Sequence, residues 1–341
     1  MTTLAALVAT SAQVSATSAR LGKIAALARF LAAVSAEELE LAVHYLAGEL
    51  PQGRIGVGYA SLERATSAVT GPGGSLTLAD VDRAVSALAA LTGTGAAARR
   101  AQALAQLFAR AGAAEQQFLV RLLIGELRQG ALGGLMVDAI AAAAQLPPSE
   151  VRRAAMYCAS LGAVARAALS GGSAALRQFQ LELFAPVYPM LAQTADDVGE
   201  ALRVLSGELA FEWKLDGARI QVHRQEGQVR VYTRSLNEVT DALPEVVELV
   251  RELPAAELVL DGEAIALNAS GRPHPFQVTM RRFGRRLDVA ELRATLPIRA
   301  FFFDCLRVGP QSLTDRPARE RFAALDALVP QQHRVPRLIT A

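Results

Sequence analysis

Of the thirty-five basic residues in this chain only two are lysines, Lys23 and Lys214, and every other one is arginine. Lys214 stands in the string Glu212-Trp213-Lys214-Leu215-Asp216-Gly217-Ala218-Arg219. A lysine amine can lose its proton and attack an electrophile, whereas a guanidinium stays charged. A lysine kept beside an Asp-Gly step in an arginine-rich chain therefore points to nucleophilic chemistry. Lys23, in an ordinary helical stretch, shows that such exceptions also arise by chance. Four further segments keep a compatible order. Pro189-Met190-Leu191-Ala192 precedes the lysine. Tyr232-Thr233-Arg234-Ser235 ends a strand with a cation, and Val259-Leu260-Asp261-Gly262-Glu263-Ala264 sets two carboxylates around a second tight turn. Ala300-Phe301-Phe302-Phe303-Asp304 reads as an aromatic strand ending in an acid.

Taken singly, each segment has a plain structural reading. Lys-Leu-Asp-Gly-Ala-Arg suits a hairpin turn. Phe303, in a run of three phenylalanines, suits a core. Glu263 could be a solvated turn residue, Arg234 a surface cation, and Asp261 a residue that shapes its turn. Only their joint occurrence with Lys214 favours chemistry. The four histidines (His44, His223, His274, His333) lack ligand spacing and read as structural. The lone Cys158 and Cys305 suggest neither a disulfide framework nor a zinc site.

Two halves of different periodicity must position these residues. Up to about residue 182 the pattern is helical. Apolar residues recur at helical spacing over Arg20–Val34, and Ser35-Ala36-Glu37-Glu38 reads as a capping box for the helix that follows. Thr77-Leu78-Ala79-Asp80 opens another helix, further ones are expected at about 98–111, 114–127 and 135–145, and Pro147-Pro148 starts the next. Ser170-Gly171-Gly172-Ser173 reads as a break, and 185–189 as a boundary. Beyond Leu209 the period drops to two. Strands are expected at 211–215, 218–224 and 229–233, joined by turns at Asp216-Gly217 and Gln225-Glu226-Gly227. A helix at 241–253 and strands at 257–267 and 299–308 complete an α+β half. The net charge of +2 neither requires nor excludes a nucleic-acid partner, and no apolar run is long enough to span a membrane.

The helical half contains a repeat. His44–Gly56 and Arg121–Gly133 both run from an apolar helix into Gly-Glu-Leu-x-Gln-Gly-x-x-Gly. Glycines after a helix permit left-handed backbone and bring N–H groups close to a ligand. Gln52, Gly53, Arg54 and Gly56, with Arg128, Gln129, Gly130 and Gly133, could grip the phosphate backbones of a duplex. They could equally do no more than cap and pack two helices.

With these motifs in hand, the chain resembles the ATP-dependent DNA ligases, most closely the bacterial DNA ligase B type, over essentially its whole length. The resemblance implies an all-α DNA-binding domain at 1–182 and, from 186 to 341, the first part of an ATP-grasp-like α+β nucleotidyltransferase domain. The lysine pair and OB-fold domain that follow in the family are not in this sequence, so the resemblance implies a piece with little or no activity of its own. It also implies that Lys214 attacks the α-phosphorus of ATP to give a lysyl–AMP adduct. Glu212 would read the adenine amino group, Arg219 the ribose and phosphate, and Arg234 would be the second motif arginine. Glu263 would stand near ribose and Mg²⁺, Phe303 would stack on adenine, and Asp216 would orient the site. Which arginine of Arg316, Arg319 and Arg321 is functional stays open. The implied partner is nicked duplex DNA, handled by a cytoplasmic monomer in replication, repair or recombination. Two alternatives are a DNA-binding module with a non-functional nucleotide pocket and another lysyl-nucleotidyltransferase, such as an RNA ligase or capping guanylyltransferase.

Overall fold

The computed structural model describes residues 1–53, 55–67, 76–127, 133–158, 160–189, 192–205, 207–268, 270–283 and 289–340. The chain forms two compact units, Met1–Gln180 and Leu181–Ala341. In the first, helices follow one another as α1 (Leu4–Ala16), α2 (Arg20–Ala33), α3 (Leu39–Ala47), α4 (Tyr59–Ser67), α5 (Leu78–Ala90), α6 (Ala96–Ala109), α7 (Ala113–Leu123), α8 (Gly133–Ala144), α9 (Pro148–Tyr157) and α10 (Leu161–Leu176). Their apolar stripes meet in one core that includes Leu27, Leu31, Tyr45, Leu46, Phe108 and Phe118.

Local signals explain several helix ends. Thr77 caps α5 through its hydroxyl, which accepts from Asp80 N, while the Asp80 carboxylate accepts from Thr77 N, both at 3.1 Å. Pro148 opens α9, where its missing N–H costs nothing. The expected capping box at Ser35–Glu38 does not form. Glu38 instead sits at the N-cap with no side-chain cap, and its carboxylate accepts from Thr2 N and Thr2 Oγ1 at 2.8 Å, tying down the N-terminus. The break at 170–173 is a kink inside α10, with Gly172 at φ 57°.

The second unit contains α11 (Val198–Val204), β1 (Leu209–Glu212), β2 (Ala218–Gln225), β3 (Gln228–Thr233), α12 (Pro244–Glu252), β4 (Glu257–Ala266), α13 (Phe276–Phe283), α14 (Val289–Thr295), β5 (Ile298–Val308), β6 (Gln311–Ser312), α15 (Ala318–Leu328) and β7 (Arg337–Thr340). An antiparallel sheet has the order β3-β2-β4-β5-β6, and β1 pairs with β7 in a separate two-stranded sheet. One face of the larger sheet packs Ile220, Val222, Val231, Leu260, Ala264 and Phe302 into a core with Val246 and Val250 of α12 and Leu325 of α15. The opposite face carries Arg219, Asp261 and Glu263, which the pleat places by period-two alternation.

Three sequence expectations are corrected here. Asp216-Gly217 does not close a hairpin, because β1 and β2 belong to different sheets and the segment crosses between them. Asp261-Gly262-Glu263 is no turn but the middle of β4, flanked on both sides by β2 and β5. Asp304 lies inside β5, not at its end. Strand interiors won over turn propensity because both neighbours supply ladder hydrogen bonds and a buried face.

The start of the second unit is stitched to β2. Phe184 N donates to His223 Nδ1 at 2.9 Å, and Val187 N donates to Gln221 Oε1 at 2.8 Å. With Nδ1 accepting, His223 Nε2 carries the hydrogen and donates to Gln221 Oε1 at 2.9 Å. Burial drives the His223 pKa down to about 3, so the ring is neutral.

Candidate active site

Between the two sheets of the second unit lies a cleft of about 1170 Å³. Its walls include Glu212, Lys214, Asp216, Arg219, Arg234, Glu263 and Phe303, and also Ala192. Met190 and Leu191, the residues before Ala192 in its segment, lie outside the described residues. Thus seven side chains spread over ninety-odd positions of sequence share one cavity.

The Lys214 loop is fastened to the sheet by Gly217, whose N–H donates to Glu263 Oε1 at 3.1 Å. A Cβ on Gly217 would stand 2.5 Å from Ala264 O and 2.6 Å from Ile265 Cγ1. Glycine is needed there for close approach, not for a turn. Lys214 is exposed and its Nζ donates to Leu215 O at 3.2 Å, so the amine is kept on the loop that Gly217 anchors.

Arg219 projects from β2 beside β4. Its Nε donates to Asp261 Oδ1 at 3.0 Å, and Nη2 donates to Oδ2, a fork-on-fork pair. Its guanidinium carbon lies 5.5 Å from the centre of the Phe303 ring. Burial pushes the Asp261 carboxyl upward, against the opposing pull of Arg219. Burial likewise raises Glu263, opposed by the Gly217 N–H and then by the charges of Lys214 and Arg219.

Phe303 reaches the cleft through a β-bulge. Asp261 opposes Asp304 and Gly262 opposes Phe302, so Phe303 is the extra residue of β5. The core-facing positions of β5 run Ile298, Ala300, Phe302 and then Cys305, a change of parity at the bulge. Phe302 is buried and Phe303 is only partly so. A close approach keeps Gly262 opposite them free of a side chain, since a Cβ there would meet Phe301 O at 2.8 Å.

Arg234 follows the end of β3 and is exposed at the cleft, and among the described residues it forms no ion pair. The cavity is completed by residues that sequence reasoning did not single out, among them Trp213, Asn237, Phe276 and Met280. A further omission is Arg337, which pairs with Glu212 at 2.7 Å. Arg321 instead binds Asp304 at 2.8 Å, and Arg316 faces Glu320 at 3.8 Å. The short apolar and β-branched run Leu338-Ile339-Thr340 could have flagged β7, but not its partner. Among the described residues no group of three or more His, Cys, Asp or Glu converges as a cation site.

In the first unit the repeat is realised as two matching helix ends. Gly48 N donates to Tyr45 O and Glu49 N to His44 O, and Gly125 N donates to Leu122 O and Glu126 N to Arg121 O. Both are Schellman caps with the glycine at positive φ, 79° and 73°. Gln52 turns its amide inward to Asp82 Oδ1 and Ser86 Oγ of α5, at 2.7 and 2.8 Å. Gly53, Gly56 and Gly133 are exposed. Arg54, Arg128, Gln129 and Gly130 lie outside the described residues.

Residues 189–340 match a family model described as ATP dependent DNA ligase domain, and residues 71–141 one described as DNA ligase N terminus. The chain is 56% identical over 339 residues to a probable DNA ligase of Anaeromyxobacter dehalogenans, covering 99% of this chain and 66% of that protein. It is 53% identical to DNA ligase B of Mycobacterium tuberculosis, over 97% of this chain and 65% of that one. It therefore spans about two thirds of the length of these curated relatives. A solved structure titled Pmar-Lig_Pre. aligns with TM-score 0.51 and 16% identity, over 98% of this chain and 66% of that one, a likeness of fold.

Proposed function

The chain belongs to the ATP-dependent DNA ligase family, with a helical N-terminal region ahead of the ligase catalytic domain, and from this we propose that its cleft binds ATP and that Lys214 accepts the adenylyl group. The observation that carries the reading is the gathering of Glu212, Lys214, Asp216, Arg219, Arg234, Glu263 and Phe303 around one cavity. In the step proposed, the Lys214 amine, having given its proton to solvent, attacks the α-phosphorus of ATP. A nitrogen–phosphorus bond forms as the bond to pyrophosphate breaks, leaving a lysyl–AMP phosphoramidate. Transfer of AMP to a DNA 5′-phosphate, which breaks the nitrogen–phosphorus bond and frees the amine, and attack by the neighbouring 3′-hydroxyl on that phosphate, which expels AMP, would then seal a nick.

The residues present suit this ligand. Phe303 offers a face for a base, a contact worth ~1–3 kcal/mol in general. Glu212 offers an acceptor for the adenine amino group. Arg219, pre-set by Asp261, and the unpaired Arg234 offer charge to ribose and phosphates. Glu263 keeps one oxygen that Gly217 does not use, fitting a single protein carboxylate on Mg²⁺ whose other ligands are phosphate oxygens. When bound, the ion would neutralise charge on the phosphoryl group. Gln52, Gly53, Arg54, Gly56, Arg128, Gln129, Gly130 and Gly133 are proposed to face duplex DNA, with Gln52 acting by holding its loop on α5. The all-α reading of the first domain, the monomeric state and the cytoplasmic location belong to the same proposal. The match of residues 71–141 to a DNA ligase N terminus weighs against an RNA-directed enzyme. No helix among the described residues is long and apolar enough to cross a membrane.

The test is covalent labelling with α-labelled ATP and Mg²⁺, on a protein of the relatives' full length carrying this sequence. The unaltered protein should gain an AMP adduct by intact mass. Lys214→Ala and Lys214→Arg should gain none, and a normal adduct on either would overturn the assignment.

A further inference from the structure

We infer that Arg337 is a specificity-determining positioning residue: it sets the base-reading carboxylate of Glu212 and the base-stacking ring of Phe303 relative to each other, and so makes the cleft select a 6-amino over a 6-oxo purine. This deepens the nucleotide-binding reading above and rests on it.

Arg337 opens β7, directly across from Glu212 at the end of β1. Its Nε donates to Glu212 Oε1 at 2.7 Å, and Nη2 lies 2.7 Å from the same oxygen. Nη2 also donates to the backbone carbonyl of Phe303 at 2.9 Å. The guanidinium carbon lies 3.3 Å from the centre of the Phe322 ring of α15, and the Arg337 side chain is only 9% exposed. One planar cation therefore spans both sheets. It holds the edge-reading group from the small sheet and, at its bulge, the stacking group from the large one. The approach of the two sheets is reinforced where Val335 N donates to Phe302 O at 2.9 Å.

The chemistry follows from what is left over. Both contacts of the fork fall on Oε1, and among the described residues Oε2 of Glu212 carries no hydrogen bond. A carboxylate paired with arginine can only accept. Such an oxygen welcomes the exocyclic amine of adenine and repels the carbonyl of a 6-oxo purine, which has no hydrogen to give it. Without Arg337 the carboxylate could rotate or swap oxygens, and the Phe303 backbone would lose its tie. Both losses weaken reading of the base edge more than binding of the triphosphate.

The experiment uses Trp213, the single tryptophan, which lines the cleft and is 73% exposed. Its fluorescence is titrated with ATP and with inosine triphosphate, which differ at C6 and its neighbouring ring nitrogen. The unaltered chain should prefer ATP. Arg337→Met, which keeps an unbranched apolar stem and removes the guanidinium, should weaken ATP by about tenfold or more, as loss of a charge-assisted bond implies. It should leave inosine triphosphate nearly unchanged, so the preference collapses. Arg337→Lys should restore part of it. Glu212→Gln, whose amide both accepts and donates, should relax the preference in the same way, and the double variant should add nothing further. A circular dichroism melt shows that each variant is folded. An unchanged ATP preference in Arg337→Met, or an equal loss of both nucleotides, overturns the inference. No response of the unaltered chain to ATP would instead sink the nucleotide reading beneath it.

Discussion

At the scale of single residues, the cleft depends on groups whose value lies in what they hold in place. Gly217 has no side chain to offer a ligand, yet its N–H anchors the Lys214 loop to Glu263 and its missing side chain lets that loop lie against β4. Gly217→Ala should displace the loop by a fraction of a bond length or more. Adduct formation should then fall about a hundredfold, the usual penalty for small misplacement at a reacting centre, and the clash with Ala264 O should lower the melting temperature as well. Labelling kinetics beside a thermal melt would separate the two. Asp261 is similar: read from sequence as a turn residue, it is the buried partner that presets Arg219. Asp261→Asn should cost about 2–3 kcal/mol in urea unfolding. That is below the full range for a buried pair, because Arg219 keeps access to water. The motif residues were singled out by their joint order and by the resemblance to a known family, and the structure lines one cleft with them. Arg337 was not, since one arginine among so many carries no mark until its partners are in view.

At the scale of elements, the sequence spoke clearly where local chemistry decides. Thr77–Asp80 announced a helix start, which the structure closes with a capping box, and Thr77→Ala should destabilise the first unit by about 1 kcal/mol in denaturant unfolding. The duplicated glycine ends also proved alike in backbone, but not in surroundings. A Cβ on Gly48 would meet Leu127 Cβ and Leu127 O, both at 3.2 Å, while one on Gly125 would meet nothing within 4 Å among the described residues. Each alanine substitution should cost roughly 1–2 kcal/mol for the left-handed backbone, and Gly48→Ala measurably more than Gly125→Ala. Equal losses would mean that Leu127 gives way freely. The local signals misled where a longer-range partner outbid them. Ser35–Glu38 had the letters of a capping box, yet Glu38 went to Thr2. Asp-Gly suggested turns at 216 and 261, whereas one crosses between sheets and the other lies within a strand.

At the scale of the whole molecule, His223 gives the second unit one acid-sensitive group, opposed there by Asp261 and Glu263, whose carboxyls burial raises. Burial holds the His223 pKa at about 3, against an ordinary 6.5. Below pH 6.5 the unfolded chain binds a proton that the folded one refuses, so stability is present above that pH and drains away as pH falls toward 3. At ~1.4 kcal/mol per pH unit the loss reaches a few kcal/mol. His223→Gln should start less stable but show a shallower slope between pH 6 and 4 in thermal unfolding. An unchanged slope would mean that the ring is protonated in the folded state. What the sequence determined by itself was periodicity, hence helices then strands, and the identity of groups able to attack, stack and carry charge. Only tertiary structure decided which strands pair, where the bulge turns Phe303 out of the core, and which acid each arginine takes. The physical reason is that period and side-chain chemistry are properties of a few consecutive residues. Pairing, parity and ion-pair choice are instead settled by competition among groups as far apart as Glu212 and Arg337.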